Sequence, residues 1–143
     1  MITVKEITAA DTYKIRLEVL RKNIDLPYKF DGDFDKETFH LGGYYEEELV
    51  GIATFMKNDI ESLKGSQYQL RGMATTTKAR GKGLGKHIIN KAVAILKEKQ
   101  IDFLWCNARK EAVLFYEKLS FAKIGAEFIV EKVGPHYKMY TKI

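Results

Sequence analysis

The sequence predicts an α/β (α+β) fold: a mixed, mostly antiparallel central sheet of about six to seven strands with helices on both faces. Three observations lead there. Strand-length apolar runs group before residue 75 and again after residue 100. One long stretch of helical periodicity separates the two groups. That stretch joins two apolar runs as a strand–helix–strand crossover, which is parallel and right-handed, whereas the remaining runs read as antiparallel.

Taken in order, Ile2, Val4 and Ile7 make a short first strand. Asp11 caps a helix running to about Arg21, with Ile15, Leu17, Val19 and Leu20 as its apolar positions. Residues 23–37 read as an irregular acidic loop. His40–Tyr45 and Leu49–Phe55 flank a polar turn, Glu46-Glu47-Glu48, and read as a β-hairpin. Tyr68–Ala74 is a fourth strand. Leu84, Ile88, Ala92, Ile95 and Leu96 recur at helical spacing, so 84–99 reads as an amphipathic helix. Ile101–Cys106 is a buried strand, and Ala108, Ala112, Phe115 and Leu119 mark another helix. Two extended segments, about 122–132 and 136–142, break at Gly134-Pro135.

With 143 residues, 45% hydrophobic and 30% charged, the chain has ordinary globular composition and reads as a single domain, 1–143. Its one cysteine, Cys106, excludes an intramolecular disulfide and a cysteine-based zinc cluster, and no metal is expected. No apolar run approaches ~20 residues, and the first residues lack a signal-peptide pattern. A cytoplasmic protein with no membrane partner is the expectation. The net charge of +5 hides a split. Residues 1–62 hold 8 Lys/Arg against 13 Asp/Glu, and residues 63–143 hold 16 against 6. Such asymmetry suggests that two chemically different things are bound.

The most informative segment is Lys78-Ala79-Arg80-Gly81-Lys82-Gly83-Leu84-Gly85-Lys86, between a strand and a helix. A helix N-terminus presents free N–H groups and a partial positive charge, which together bind phosphate. The Walker A pattern fails, because Arg80 stands at its early glycine and His87 at its Ser/Thr. The dinucleotide pattern GxGxxG fails at Lys86 and at Ile88. What remains is Arg80-x-x-Gly83-x-Gly85, which fits either a tight structural turn or an anion cradle. A nucleic-acid binder would need a basic stripe interleaved with exposed aromatics. Here the cations gather at one turn, so no nucleic-acid partner is expected.

That string resembles the signature of the GCN5-related N-acetyltransferases. The resemblance extends to Leu70-Arg71-Gly72-Met73-Ala74 before it, and to Asn107, Ala112 and Phe115-Tyr116-Glu117-Lys118-Leu119-Ser120-Phe121 after it. Ser120 stands where the family usually has glycine. The resemblance implies the acyl-CoA N-acyltransferase fold, with acetyl-CoA as donor substrate and an amine as acceptor; family members are often homodimers. It places the pantetheine arm against Met73, Ala74 and Thr75, and the pyrophosphate on Arg80, Gly81, Lys82, Gly83, Leu84, Gly85 and Lys86. Asn107 would orient the arm or a water. Tyr116 matches the tyrosine that protonates the departing sulfur, and a phenol stays protonated at neutral pH.

The base is less defined, since strand 4 offers Gln69 and Arg71 and no carboxylate. His136 and His40 are candidates, because imidazole titrates near pH 6.5; a water wire is the alternative. Asp25, Asp31, Asp33 and Asp35 in the 23–37 loop would steer a cationic amine, a small basic molecule or a protein lysine or N-terminus. Tyr28, Phe30, Phe39, Tyr44 and Tyr45 would line that pocket or pack beneath it. The competing reading is a non-catalytic acyl-CoA-binding module on the same fold.

Overall fold

A computed structural model describes residues 1–143. Its strands are β1 (Ile2–Ile7), β2 (Phe39–Tyr45), β3 (Glu48–Lys57), β4 (Gln67–Thr75), β5 (Phe103–Arg109), β6 (Ala122–Val130) and β7 (Gly134–Lys142). They form one seven-stranded sheet in the order β1-β2-β3-β4-β5-β7-β6. All neighbours are antiparallel except β4 and β5. The mixed, mostly antiparallel sheet is as the sequence predicts. Sequence spacing gave no hint that β7 inserts between β5 and β6.

Helices cover both faces. Helix α1 (Ala9–Ile15) and helix α2 (Leu84–Glu98) contact opposite sides. Along β3, Val50, Ala53 and Phe55 join Leu84, Ile88 and Leu96 in the larger core. Ile52 faces the other way and packs with Ile15 and Ala74. Helix α3 (Val113–Glu117) lies on the α2 side, where Val113 and Tyr116 join the same core.

The first helix begins differently from the sequence expectation. Thr8, not Asp11, is the cap: its side chain accepts from the Asp11 N–H, and the Asp11 carboxylate accepts from the Thr8 N–H. This reciprocal box satisfies two otherwise orphaned donors. The helix then widens into a π turn, Arg16–Leu20, instead of continuing regularly to Arg21. The hairpin turn is tighter than three residues: Glu46 and Glu47 alone form it, both at positive φ (52° and 67°), the geometry that matches strand twist. Residues 108 and 109 belong to β5, so the following helix is shorter than its apolar spacing implies.

Two features set up the cleft. The β4–β5 ladder runs only from Gln67↔Phe103 to Leu70↔Cys106. Beyond it β4 keeps β3 as its neighbour through a register shift, with Ile52 opposite Ala74 and Thr54 opposite Arg71. Gly72 sits in that irregularity at φ +62°, and a Cβ there would lie 2.8 Å from the Phe30 ring. Only glycine meets both demands. The strands therefore part, and the gap between them is the cleft.

The second feature is a buried polar network under the 21–38 loop. Arg16 is fully buried and forks onto Asp33 at 2.8 and 2.9 Å. It also donates to the Tyr28 carbonyl and to Thr54 Oγ1. Burial pushes the Asp33 carboxyl up, but the Arg16 bonds and the Phe30 N–H outweigh it and leave it below the usual carboxylate range.

Two predictions follow from this architecture. Asp33→Ala strands a buried guanidinium, so unfolding should lose about 3–5 kcal/mol at neutral pH, measured by urea denaturation. The native carboxyl is lowered, so this contribution is complete above the unfolded value near 3.9 and fades as pH falls through the native one. The gap between wild type and variant therefore closes in acid, and a constant gap would contradict the assignment. Ser120 ends α3 at φ +70°, with Phe121 N–H bonded to the Tyr116 carbonyl and Ser120 N–H to Glu117. This is a Schellman ending that favours glycine. Ser120→Gly should stabilise by about 1 kcal/mol, read as a higher denaturation midpoint; a lower midpoint would oppose it.

Candidate functional site

The cleft between the parted strands has a volume of about 740 Å³ and continues into a second cavity of about 460 Å³ at the glycine turn. Met73, Ala74, Thr75 and Arg80 line both. The β5-facing side of β4 from Arg71 to Thr75 has no strand partner. Its backbone donors and acceptors are open to an extended ligand, which would supply the missing ladder.

The turn is held from below. Leu84 is buried against Gly43 and Gly51, where a Cβ would lie 2.8 and 2.4 Å from its side chain. This seat fixes the start of α2 against the sheet. Gly83 is the helix N-cap at φ +75°, and no side chain caps it. The N–H groups of Gly81, Gly83, Leu84, Gly85 and Lys86 have no acceptor in the chain, whereas His87 N–H bonds the Gly83 carbonyl. Unengaged N–H groups at a helix start form an anion-binding concavity. Gly81, Gly83, Leu84 and Gly85 line the second cavity with Arg80, while Lys82 and Lys86 do not. Lys82 instead lies over the Tyr45 ring at 4.6 Å.

At the other end stand Tyr116, Asn107 and His136. Tyr116 is 6% exposed, packed edge-on against Phe115 and tilted against Phe121. Burial, with Cys106 beside it, pushes its phenol well above the ordinary value of 10. It is a proton donor at any ordinary pH. Burial likewise pushes the Cys106 thiol to about 12, so it is no nucleophile despite touching the cleft. The Asn107 side-chain oxygen accepts from Lys138 at 2.7 Å, and its amide N–H groups have no partner in the chain. Lys138 is braced over the Trp105 ring at 4.5 Å.

The two histidine candidates separate. His136 Nδ1 lies 2.8 Å from the Gly134 carbonyl oxygen, which only accepts, so Nδ1 carries a hydrogen and, in the neutral ring, Nε2 is the acceptor. His136 lines the cleft and leans on Phe128. His40 does not line the cleft. Its Nδ1 meets Thr54 Oγ1 at 2.8 Å and its Nε2 meets the Asp33 carbonyl at 3.0 Å. Both ring nitrogens are spent on the Arg16 network, so the expected catalytic role for His40 is corrected to a structural one.

The acidic-loop expectation is corrected too. Asp33 is consumed by Arg16, and Asp25 and Asp35 do not line the cleft; Asp31 alone does. Of the aromatics, only Phe30 lines it. Phe39 stacks on Phe55 in the core, and Tyr28 packs on Tyr13. Tyr44 and Tyr45 sit at the hairpin end of β2 under Lys5 and Lys82. The cleft wall is instead cationic, with Arg21, Lys29, Arg71 and Arg109. Arg71 and Gln69 lie two apart on β4, and both line the cleft. That alternation was the one signal in the sequence that pointed to Arg71.

The family model described as acetyltransferase (GNAT) family matches residues 4–121. Across its whole length the chain is 36% identical to the uncharacterized N-acetyltransferase YitI of Bacillus subtilis (strain 168), covering 97% of that protein. ElaA of Escherichia coli has a similar structure, with a TM-score of 0.81 at 18% identity over 98% of this chain and 99% of that one. An acyl-CoA N-acyltransferase from Pseudomonas aeruginosa gives 0.78 at 18% identity, over 98% and 99%. At such identities the structural likeness speaks for the fold alone.

Proposed function

The chain belongs to the GNAT family of acetyltransferases, and from that premise we propose that residues 1–143 act as one domain transferring an acetyl group from acetyl-CoA to a primary amine by direct attack. One observation carries this reading. The cleft opened between β4 and β5 runs from a turn of unengaged N–H groups to a buried tyrosine and a histidine with a free nitrogen.

The residues fit the donor. Gly81 and Gly83 to Lys86 offer N–H groups to a pyrophosphate, and Arg80 adds charge at the junction of the two cavities. Met73 to Thr75 offer backbone groups to the amide-bearing arm, and the Asn107 amide faces it from β5. A Met73 N–H directed at the thioester oxygen would stabilise charge developing there, an interaction typically worth ~3–4 kcal/mol. Holding amine and thioester in one cleft supplies much of the remaining acceleration.

Proton traffic falls to two side chains. His136 Nε2 takes a proton from the attacking amine, and its Nδ1–H bond to Gly134 fixes that tautomer. The amine nitrogen bonds to the acetyl carbon as the carbon–sulfur bond breaks, and Tyr116 donates its hydroxyl proton to the sulfur. Burial of Tyr116 serves this step, because a phenol held well above its ordinary value never arrives deprotonated.

Coenzyme A release with an amine panel tests the activity. Tyr116→Phe should lower kcat by about 10²-fold or more with the acetyl-CoA KM unchanged; a wild-type rate would remove Tyr116 from the chemistry. In the wild type no alkaline limb from Tyr116 should appear below pH ~10, since its native value lies above that of free tyrosine. His136→Gln should lower kcat/KM by about 10²-fold at neutral pH, with the rate then rising with pH as the amine itself deprotonates. An unchanged pH profile would assign the proton to water instead.

A further inference from the structure

Beside the chemistry stands a group of cations that the reaction itself does not use. Arg21, Arg71 and Arg109 all line the acceptor end of the cleft, on the α1 side of the sheet. They converge. The Arg21 and Arg109 guanidinium groups both donate to the Leu20 carbonyl, at 3.3 and 3.4 Å. Arg21 and Arg71 both lie over the Phe30 ring, at 5.6 and 4.5 Å from its centre. Arg21 spends another N–H on the Pro27 carbonyl.

None of the three has an ion-pair partner. The side-chain ion pairs of the chain are Arg16–Asp33, Lys57–Asp59, Lys78–Glu48 and Lys110–Glu127, all elsewhere. Asp31, the lone carboxylate lining the cleft, stays beyond ion-pair distance of each. Burial and mutual repulsion lower both Arg21 and Arg71, with Arg109, Arg71 and Arg16 acting on Arg21, and Arg16 acting on Arg71. The repulsion is partly offset by the face of Phe30, which attracts cations, and by carbonyl oxygens. Asp33 and Asp31 act on Arg71 from beyond ion-pair distance and offset the repulsion only in part, and no carboxylate does so for Arg21.

The donor's phosphates do not account for this cluster. They have their own cradle at Gly81–Lys86, and that second cavity is lined by none of Arg21, Arg71 and Arg109. Guanidinium forks match carboxylates in shape and charge. A cleft of about 740 Å³ has room for a small acceptor beside the acyl end of the donor. We infer that the acceptor is a small amine carrying a carboxylate, of amino-acid type, whose carboxylate sits among Arg21, Arg71 and Arg109 while its amine faces His136. This rests on the transferase reading and replaces the cationic acceptor expected from the loop's aspartates.

Free L-amino acids, each beside its carboxamide, form the test panel for coenzyme A release. At least one acid should exceed its amide by tenfold or more in kcat/KM. Arg71→Gln and Arg109→Gln should raise that acid's KM tenfold or more, leave the acetyl-CoA KM within about twofold, and shrink the acid's advantage over its amide to within about threefold. Arg71→Lys, which keeps charge but loses the fork, should fall between. Melting curves confirm that each variant is folded. Amides or simple amines used as well as the acids would overturn the inference while leaving the transferase intact. A rise in acetyl-CoA KM alone would also overturn it, by assigning the arginines to the donor. Should no amine release coenzyme A, calorimetry on the protein with coenzyme A decides. An amino acid bound in preference to its amide, and lost in Arg71→Gln, upholds the carboxylate site and overturns the transferase reading; equal binding of acid and amide overturns the site.

Discussion

The buried Arg16–Asp33 pair is the constraint on which the site depends. Its side chains are 0% and 1% exposed, and taking two charges that far from water costs several kcal/mol per ion. The attraction repays this only when the remaining donors and acceptors are also met. Here they nearly are. Asp33 accepts two Arg16 N–H groups and the Phe30 N–H, and Arg16 reaches Tyr28 and Thr54 as well. Thr54 passes its hydroxyl hydrogen to His40, whose other nitrogen donates to the Asp33 carbonyl. Only Arg16 Nε is left without a partner, and that guanidinium lies 3.8 Å above Phe30.

This network turns a polar loop into a wall of the site. Residues 21–38 make few backbone bonds to the sheet, so their position comes from Asp33 and from Tyr68, whose hydroxyl donates to the Glu37 carbonyl. Fixing Asp33 fixes Phe30 three residues earlier. Phe30 in turn fills the space above Gly72, and it is the surface on which Arg71 and Arg21 rest. One ion pair thus sets the spacing between the acceptor wall and the break in β4. On the donor side the equivalent anchor is apolar: Leu84, seated on two glycines, pins the first turn of α2.

Much of the fold was legible because it is written in local periodicity. The strands, the hairpin and the 84–98 helix all follow from apolar spacing, and the glycine turn announced its own N–H cradle. The site was only half legible, for a physical reason. Residues that act through backbone or a short motif, such as Gly83 or Tyr116, keep their meaning in one dimension. Charges do not. Four aspartates in a loop read as an anionic patch, yet Asp33 is neutralised by Arg16, which lies 17 residues earlier and was assigned no role. His40 and His136 look alike in sequence, and only the packing shows that one has both nitrogens engaged while the other keeps a lone pair. The cap at Thr8 is masked in the sequence because Asp11 serves the same box from its other end.

The cationic wall also bears on the nucleophile. An alkyl ammonium must lose its proton before it attacks, and at neutral pH that equilibrium is unfavourable for a free amine. A net positive charge about 8 Å from an ammonium, at an effective dielectric near 20, would raise its energy by about 2 kcal/mol. That corresponds to about 1.5 pKa units towards the neutral amine. An acidic loop would have done the reverse, binding the ammonium well and holding it in its unreactive form. A wall of arginines repels a plain cationic amine, so it works only for an acceptor that brings its own negative charge. Such an acceptor is drawn in by one end and made reactive at the other. On the proposed reading, binding and activation of the amine would have a common electrostatic source, and His136 would receive a proton that the surrounding field already disfavours.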